Sequence, residues 1–200
     1  MESQNQPVTL TDQARALTRG LTARAGMALH RAGVHPDIIT LVGLAVVAAA
    51  AVLIGRGELP AAGVVLLAGL PLDALDGAVA RAMQRQDRFG GVLDSTLDRY
   101  ADAFIFGGLS YHFAVQGRFE MMLAALAALI GSFVVSYVRA RAGEAGLSVK
   151  IGLFDRFVRV IIILVSLFIP ALLEVGVLAL AVGTNLTGLQ RLWYVYRNIK

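Results

Sequence analysis

Asp73-Ala74-Leu75-Asp76-Gly77-Ala78-Val79-Ala80-Arg81, followed by Gly90-Gly91-Val92-Leu93-Asp94-Ser95-Thr96-Leu97-Asp98, is the stretch that decides how this chain is read. It carries the string D-x2-D-G-x2-A-R-x8-G-x3-D-x3-D and sets four aspartates into apolar surroundings. A carboxylate near the centre of a bilayer costs roughly 2.5–3.5 kcal/mol, so four left unpaired would cost on the order of 10 kcal/mol. Something must bind them, and a divalent cation is the natural candidate.

The membrane setting comes from composition. Of 200 residues, 57% are hydrophobic and 16% charged, a balance a soluble domain of this length rarely reaches. One integral membrane domain is expected over 1–200. Cysteine is absent, which excludes disulfides and thiolate metal ligands. Met1–Pro7 is polar and lacks an apolar h-region, so no cleavable signal peptide is expected. The net charge of +4 points to anionic partners: membrane lipid head groups and phosphorylated substrates, not nucleic acid.

Leu10, Ala14, Leu17, Leu21, Ala25, Ala28 and Leu29 recur mostly at spacings of three and four, with Arg15, Arg19, Arg24 and Arg31 between them. The pattern predicts an amphipathic helix over 8–33 lying along the membrane surface. Six apolar segments follow, near 37–55, 59–84, 89–115, 119–142, 153–173 and 175–196, each able to span roughly 30 Å of hydrocarbon. The fold class is therefore all-α: a bundle of six transmembrane helices over 37–196, preceded by a juxtamembrane helix. Only Arg56 and Arg118, of 18 Lys and Arg, fall in the loops assigned to the outside. Both termini and the 143–152 loop are then cytoplasmic, in the cell membrane.

Helix rise of about 1.5 Å per residue gives the depth of the aspartates. Counted from Arg81, Asp76 lies about 7.5 Å and Asp73 about 12 Å inside the second span; counted from Arg88, Asp94 lies about 9 Å and Asp98 about 15 Å inside the third. All four occupy one layer on the cytoplasmic half. Asp73 and Asp76 are i, i+3 and Asp94 and Asp98 are i, i+4, so each pair shares a stripe of its helix. With the two helices taken as antiparallel neighbours, the carboxylates converge. Hard cations with oxygen ligands suit them, and two Mg²⁺ or Mn²⁺ ions balance four negative charges better than one. Zinc is disfavoured, since His30, His35 and His112 are scattered. Gly77 and Gly90 beside the ligands would let a diphosphate approach the backbone, or would serve helix packing.

The string resembles the signature of the CDP-alcohol phosphotransferases at every position. The resemblance implies transfer from a CDP-linked lipid such as CDP-diacylglycerol: the acceptor hydroxyl attacks the β-phosphorus and CMP leaves. It implies that Asp73, Asp76 and Asp94 hold metal and that Asp98 is both ligand and general base. It places the nucleotide against Asp37, Ile38, Ile39 and Thr40 at the start of the first span and against Gly77 and Arg81 on the second. The family usually has Ser or Thr where this chain has Asp87. A homodimer is implied as well.

Within that family the second half resembles the bacterial phosphatidylinositol-phosphate synthases. The segments are Ser136-Tyr137-Val138-Arg139-Ala140-Arg141-Ala142, Asp155-Arg156-Phe157-Val158-Arg159 against their E-R-x-E-R, and Gln190-Arg191. By that resemblance Arg141, Arg159 and Arg191 grip the phosphate of inositol phosphate, as several guanidinium forks suit a phosphate dianion. Asp155, Phe157 and Val158 depart from that segment. Ordinary positive-inside arginines are the plainer reading of all of these, Arg139 and Arg156 included. Glycerol 3-phosphate, another polyol phosphate or serine remain alternative acceptors. A transporter using the aspartates as an ion pathway would need acidic residues through the whole membrane depth and has no inverted repeat to support it. Asp102 is expected behind the metal ligands in preference to a pair with Arg99, His112 at the outer interface, and Trp193, Tyr194 and Tyr196 in an inner aromatic belt.

Overall fold

Pro36 opens the first long helix, where its missing N–H costs nothing. In the computed structural model the helices are α1 (residues 23–31), α2 (Pro36–Gly55), α3 (Leu59–Ala82), α4 (Arg88–Val115), α5 (Phe119–Glu144), α6 (Arg156–Phe168) and α7 (Leu173–Asn198). A 3₁₀ turn at Pro170–Leu172 joins the last two. The structure describes residues 23–83 and 88–199, without the side chains of Asp73, Ala74, Arg81 and Arg88. It is all-helical there, with no strand among the described residues. Of the expected 8–33 helix, 8–22 lies outside the described residues, as do Gln84 and Asp87.

Four helices are long and apolar enough to cross a membrane: α2, α3, α5 and the stretch Pro170–Asn198 that contains α7. The chain is a multi-pass membrane protein. Its exposed surface is rich in Leu, Val, Ile and Phe, as a lipid-facing surface must be.

The fifth segment departs from the expected 153–173. Asp155 caps α6, its Oδ1 accepting from the Val158 amide at 3.1 Å, so the helix starts only at Arg156. It stops at Phe168 because Pro170 drives Ile169 out of the helical region, to φ −120° and ψ 83°. The preceding loop runs over 145–155, two residues later at its start than expected, because α5 continues to Glu144.

Two of the connections are tight. After α2, the Gly57 and Glu58 amides bond back to the Ile54 and Leu53 carbonyls, and after α4 the Gly117 and Arg118 amides do the same to Ala114 and Phe113. Both are Schellman closures, and both glycines have positive φ, +80° and +73°. Arg118 then makes a two-pronged ion pair with Glu174, tying this turn to the start of α7. His112, expected at the interface, is instead buried edge-on against Phe113 near this end.

The helices close a ring. α2 packs on α3, α3 on α6, α6 on α7, α7 on α5, α5 on α4 and α4 back on α2. Thus α3 and α4 are not the direct neighbours expected from their sequence order; α2 packs along both, and they scarcely touch among the described residues. Close approach within the ring depends on small residues: a Cβ on Gly108 of α4 would stand 2.6 Å from the Ala51 carbonyl oxygen of α2.

The ring is apolar at one end. Ala50 and Ile54, Leu59 to Leu66, Ile105 to Phe113, Met121 to Ala128, Ile163 and Leu167, and Leu173 to Leu180 form its core, all near the Gly57 and Gly117 turns. Toward the other end the buried set includes Asp76, Arg159, Thr184, Thr187 and Arg191. Gly108→Val should force α2 and α4 apart and cost about 1–3 kcal/mol. Equilibrium unfolding in mild detergent would read this, and wild-type stability would show that the α2–α4 contact can relax.

Candidate active site

Asp76 sits on the α3 face turned toward α2 and is 8% exposed. Thr40, one turn into α2, donates from Oγ1 to Asp76 Oδ2 at 2.9 Å, and the Gly77 amide donates to Oδ1. Both carboxylate oxygens are therefore oriented by hydrogen-bond donors from α2 and from the α3 backbone. Thr40, expected to bind nucleotide, is also placed within 3.1 Å of the Pro36 carbonyl. The rest of the expected nucleotide segment lies in the first turn of α2. Asp37 faces His35 at 3.4 Å, Ile38 is exposed and Ile39 is buried. Arg81 lies in the last turn of α3, next to Gly77 by one helical turn.

Asp94 and Asp98 stand in the first half of α4. Asp98 Oδ2 accepts from Arg156 Nη1 at 2.7 Å and lies 3.8 Å from Arg99 Nη2. One turn on, Asp102 Oδ2 accepts from Arg159 Nη2 at 3.1 Å and lies 3.7 Å from Arg99 Nε. An i, i+4 pair of acids on α4 thus meets an i, i+3 pair of bases on α6, giving two rungs across the ring. Asp102, expected behind the metal ligands, is paired with both Arg159 and Arg99.

The three arginines expected around a phosphate have different environments. Arg159 is 2% exposed and bound to Asp102. Arg191 is 4% exposed and donates to the Ile151 and Val135 carbonyls, both at 2.9 Å, so it ties α7 to the 145–155 loop and to α5. Arg141 is exposed and paired with Glu144 on its own helix. The guanidinium nearest Asp98 belongs to Arg156, whose side chain is 43% exposed. The sequence carried a signal for it, the base at the start of a helix just after an acidic cap, but residue type alone does not separate it from Arg139.

Among the described residues, no three His, Cys, Asp or Glu side chains gather as a metal cage; the Asp73 side chain lies outside that set. The donors that are present fit a hard cation. They are carboxylates, Asp76 is held by two hydrogen-bond donors, and no thiol is available to favour a softer metal.

A family model described as CDP-alcohol phosphatidyltransferase matches residues 33–187. The chain belongs to the CDP-alcohol phosphatidyltransferase family. It is a transferase of phospholipid synthesis. Archaetidylinositol phosphate synthase of Methanothermobacter thermautotrophicus is 38% identical over 175 residues, covering 85% of this chain and 87% of that one. The crystal structure of Mycobacterium tuberculosis phosphatidylinositol phosphate synthase with CDP-DAG bound superposes with a TM-score of 0.82 at 36% identity, over 88% of this chain and 93% of that one. The same mycobacterial enzyme in complex with manganese and citrate gives 0.80 at 37% identity, over 88% of each chain.

In this transferase Thr40→Val should leave Asp76 Oδ2 without its side-chain donor, whereas Thr40→Ser should keep it. The rise in melting temperature on adding Mn²⁺ should shrink in the Val variant and persist in the Ser variant. An unchanged rise in both would show that the Thr40 hydroxyl does not hold the carboxylate for metal.

Proposed function

We propose that the chain transfers a phosphatidyl group from CDP-diacylglycerol, or a related CDP-lipid, to inositol phosphate, releasing CMP and forming phosphatidylinositol phosphate. One observation carries the choice of acceptor. The archaeal and the mycobacterial relatives take their names from different lipids, archaetidyl and phosphatidyl, yet share inositol phosphate. The acid–base rungs between α4 and α6 support the same reading, because they bring three guanidinium groups to the side of Asp98.

Asp73, Asp76, Asp94 and Asp98 would hold two divalent cations, Mg²⁺ or Mn²⁺. When bound, these ions supply charge neutralisation for the diphosphate and for the departing CMP. The first turn of α2, with Asp37, Ile38, Ile39 and Thr40, lies beside Gly77 and Arg81 and would receive the nucleotide, with Asp87 close in sequence. Asp98 is the general base. Its carboxylate accepts the acceptor's hydroxyl proton as the new P–O bond forms, while the P–O bond to CMP breaks. Arg159, with Arg141 and Arg191, would face the acceptor's phosphate.

The same reading extends to the membrane. α4 and α6 join the four apolar helices as the fifth and sixth spans. Asp98 and Asp102 of α4 are turned onto α6, which supports their not being presented to lipid. α6 is short, about 20 Å at 1.5 Å per residue, and the 3₁₀ turn lengthens the path. The distribution of basic residues supports a cytoplasmic location in the cell membrane for both termini and the site. The protein would act as a homodimer.

A second acceptor, glycerol 3-phosphate or another polyol phosphate, is favoured by Val158 standing where the inositol-phosphate enzymes carry Glu, and by the Arg141–Glu144 pair. Purified protein with Mg²⁺, CDP-diacylglycerol and a panel of alcohols separates the two. CMP release with inositol phosphate is expected; release with glycerol 3-phosphate alone would overturn the acceptor. Asp98→Asn should lower turnover by about 10²–10⁴-fold with CDP-lipid affinity retained. Near-normal turnover in that variant would remove Asp98 from the base role.

A further inference from the structure

Asp102 stands one turn beyond Asp98 on α4, about 6 Å further along the axis. Its carboxylate serves two guanidinium groups. The contact to Arg159 Nη2, 3.1 Å, is a hydrogen bond; the contact to Arg99 Nε, 3.7 Å, is too long for one and acts through charge. Arg159 is more deeply buried than any other charged side chain among the described residues. A guanidinium so placed offers five N–H donors and needs a counter-charge, or its burial is uncompensated. Asp102 supplies that charge from one side. Arg159 Nε, on the same edge of the guanidinium as Nη2, has no hydrogen-bond partner among the described residues, and neither has Arg99 Nε. Arg159 is therefore anchored and oriented at Nη2 while keeping a donor for another acceptor.

Charge points the same way. α4 and α6 bring Arg99, Arg156 and Arg159 together with Asp98 and Asp102. With Asp98 committed to divalent cations, three guanidinium groups stand with two carboxylates, Asp102 and the α6 cap Asp155. The net charge stays positive, which favours an anionic phosphate monoester.

We propose that Asp102 is a positioning residue: shared between Arg99 and Arg159, it holds the Arg159 guanidinium in the orientation that receives the acceptor's phosphate. The proposal rests on the reading of Arg159 as a phosphate contact. Asp102 touches neither the lipid donor nor the reacting atoms, so its effect should fall on the acceptor alone.

The test uses the full chain in lipid nanodiscs with CDP-diacylglycerol, inositol phosphate and Mg²⁺. Asp102→Asn should raise the KM for inositol phosphate at least tenfold while the KM for CDP-diacylglycerol stays within twofold. The melting-temperature rise given by inositol phosphate alone should be lost. Asp102→Glu should restore most of the acceptor affinity. A rise in both KM values together, or in neither, would overturn the proposal. Arg159→Gln separates the two layers. If it leaves the acceptor KM unchanged, the phosphate contact itself is wrong; if it raises that KM but Asp102→Asn does not, only the positioning role is wrong. The double variant buries no unpaired charge and keeps the test open if Asp102→Asn does not fold. Its acceptor KM should equal that of Arg159→Gln, and a further tenfold loss would show that Asp102 acts independently of Arg159.

Discussion

The pairing of acids on α4 with bases on α6 is the constraint the rest of the structure depends on. α4 carries Asp94, Asp98, Arg99 and Asp102 through the first half of its length, within a multi-pass membrane protein. Left alone, each ion would cost roughly 2.5–3.5 kcal/mol at the bilayer centre. The Asp98–Arg156 and Asp102–Arg159 contacts offset that cost by joining the charges across the ring. They also require α6 to begin at Arg156, and the Asp155 cap sets that start. The Asp155 cap and Pro170 thus bound a short α6 whose first turn carries both arginines that meet α4.

This arrangement divides the molecule along its axis. The end with the Gly57 and Gly117 turns is held by apolar packing from α2 through α7. The opposite end is held by polar contacts: Thr40 on Asp76, Arg191 on two carbonyls, and the two rungs. Apolar packing gives rigidity without specific chemistry, whereas the polar end can exchange a protein partner for a substrate or an ion. Arg191 and Arg156 mark the two extremes there. Arg191 has spent donors on backbone carbonyls that would otherwise be unsatisfied, and Arg156 reaches a carboxylate from a position open to solvent.

Much of this was legible in the sequence. The apolar runs gave the long helices to within a few residues, and the aspartate string pointed to the family. Three things were not legible, each for a physical reason. The i, i+3 and i, i+4 spacings put Asp73 with Asp76 and Asp94 with Asp98, but spacing defines a face and not the helix opposite it. The insertion of α2 between α3 and α4 was therefore hidden. The end of α6 was obscured because Phe168, Ile169, Ala171 and Leu172 continue an apolar run that Pro170 breaks locally. The arginines could not be sorted because their roles depend on partner atoms: a carbonyl for Arg191, Glu144 for Arg141, and aspartates from another helix for Arg156 and Arg159. The sequence singled out Asp76, Asp94, Asp98 and the start of α2 as candidates, while the Asp98–Arg156 and Asp102–Arg159 contacts came only from the fold.

The central claim is that aspartates on α3 and α4 jointly hold two divalent cations beside Asp98. Electron paramagnetic resonance of the purified protein titrated with Mn²⁺ tests it most directly. Two Mn²⁺ per chain are expected, with a spectrum broadened by spin–spin coupling at a few ångströms, and Asp94→Asn should abolish the coupled signal. A single magnetically isolated Mn²⁺, or coupled binding that survives Asp94→Asn, would contradict the account.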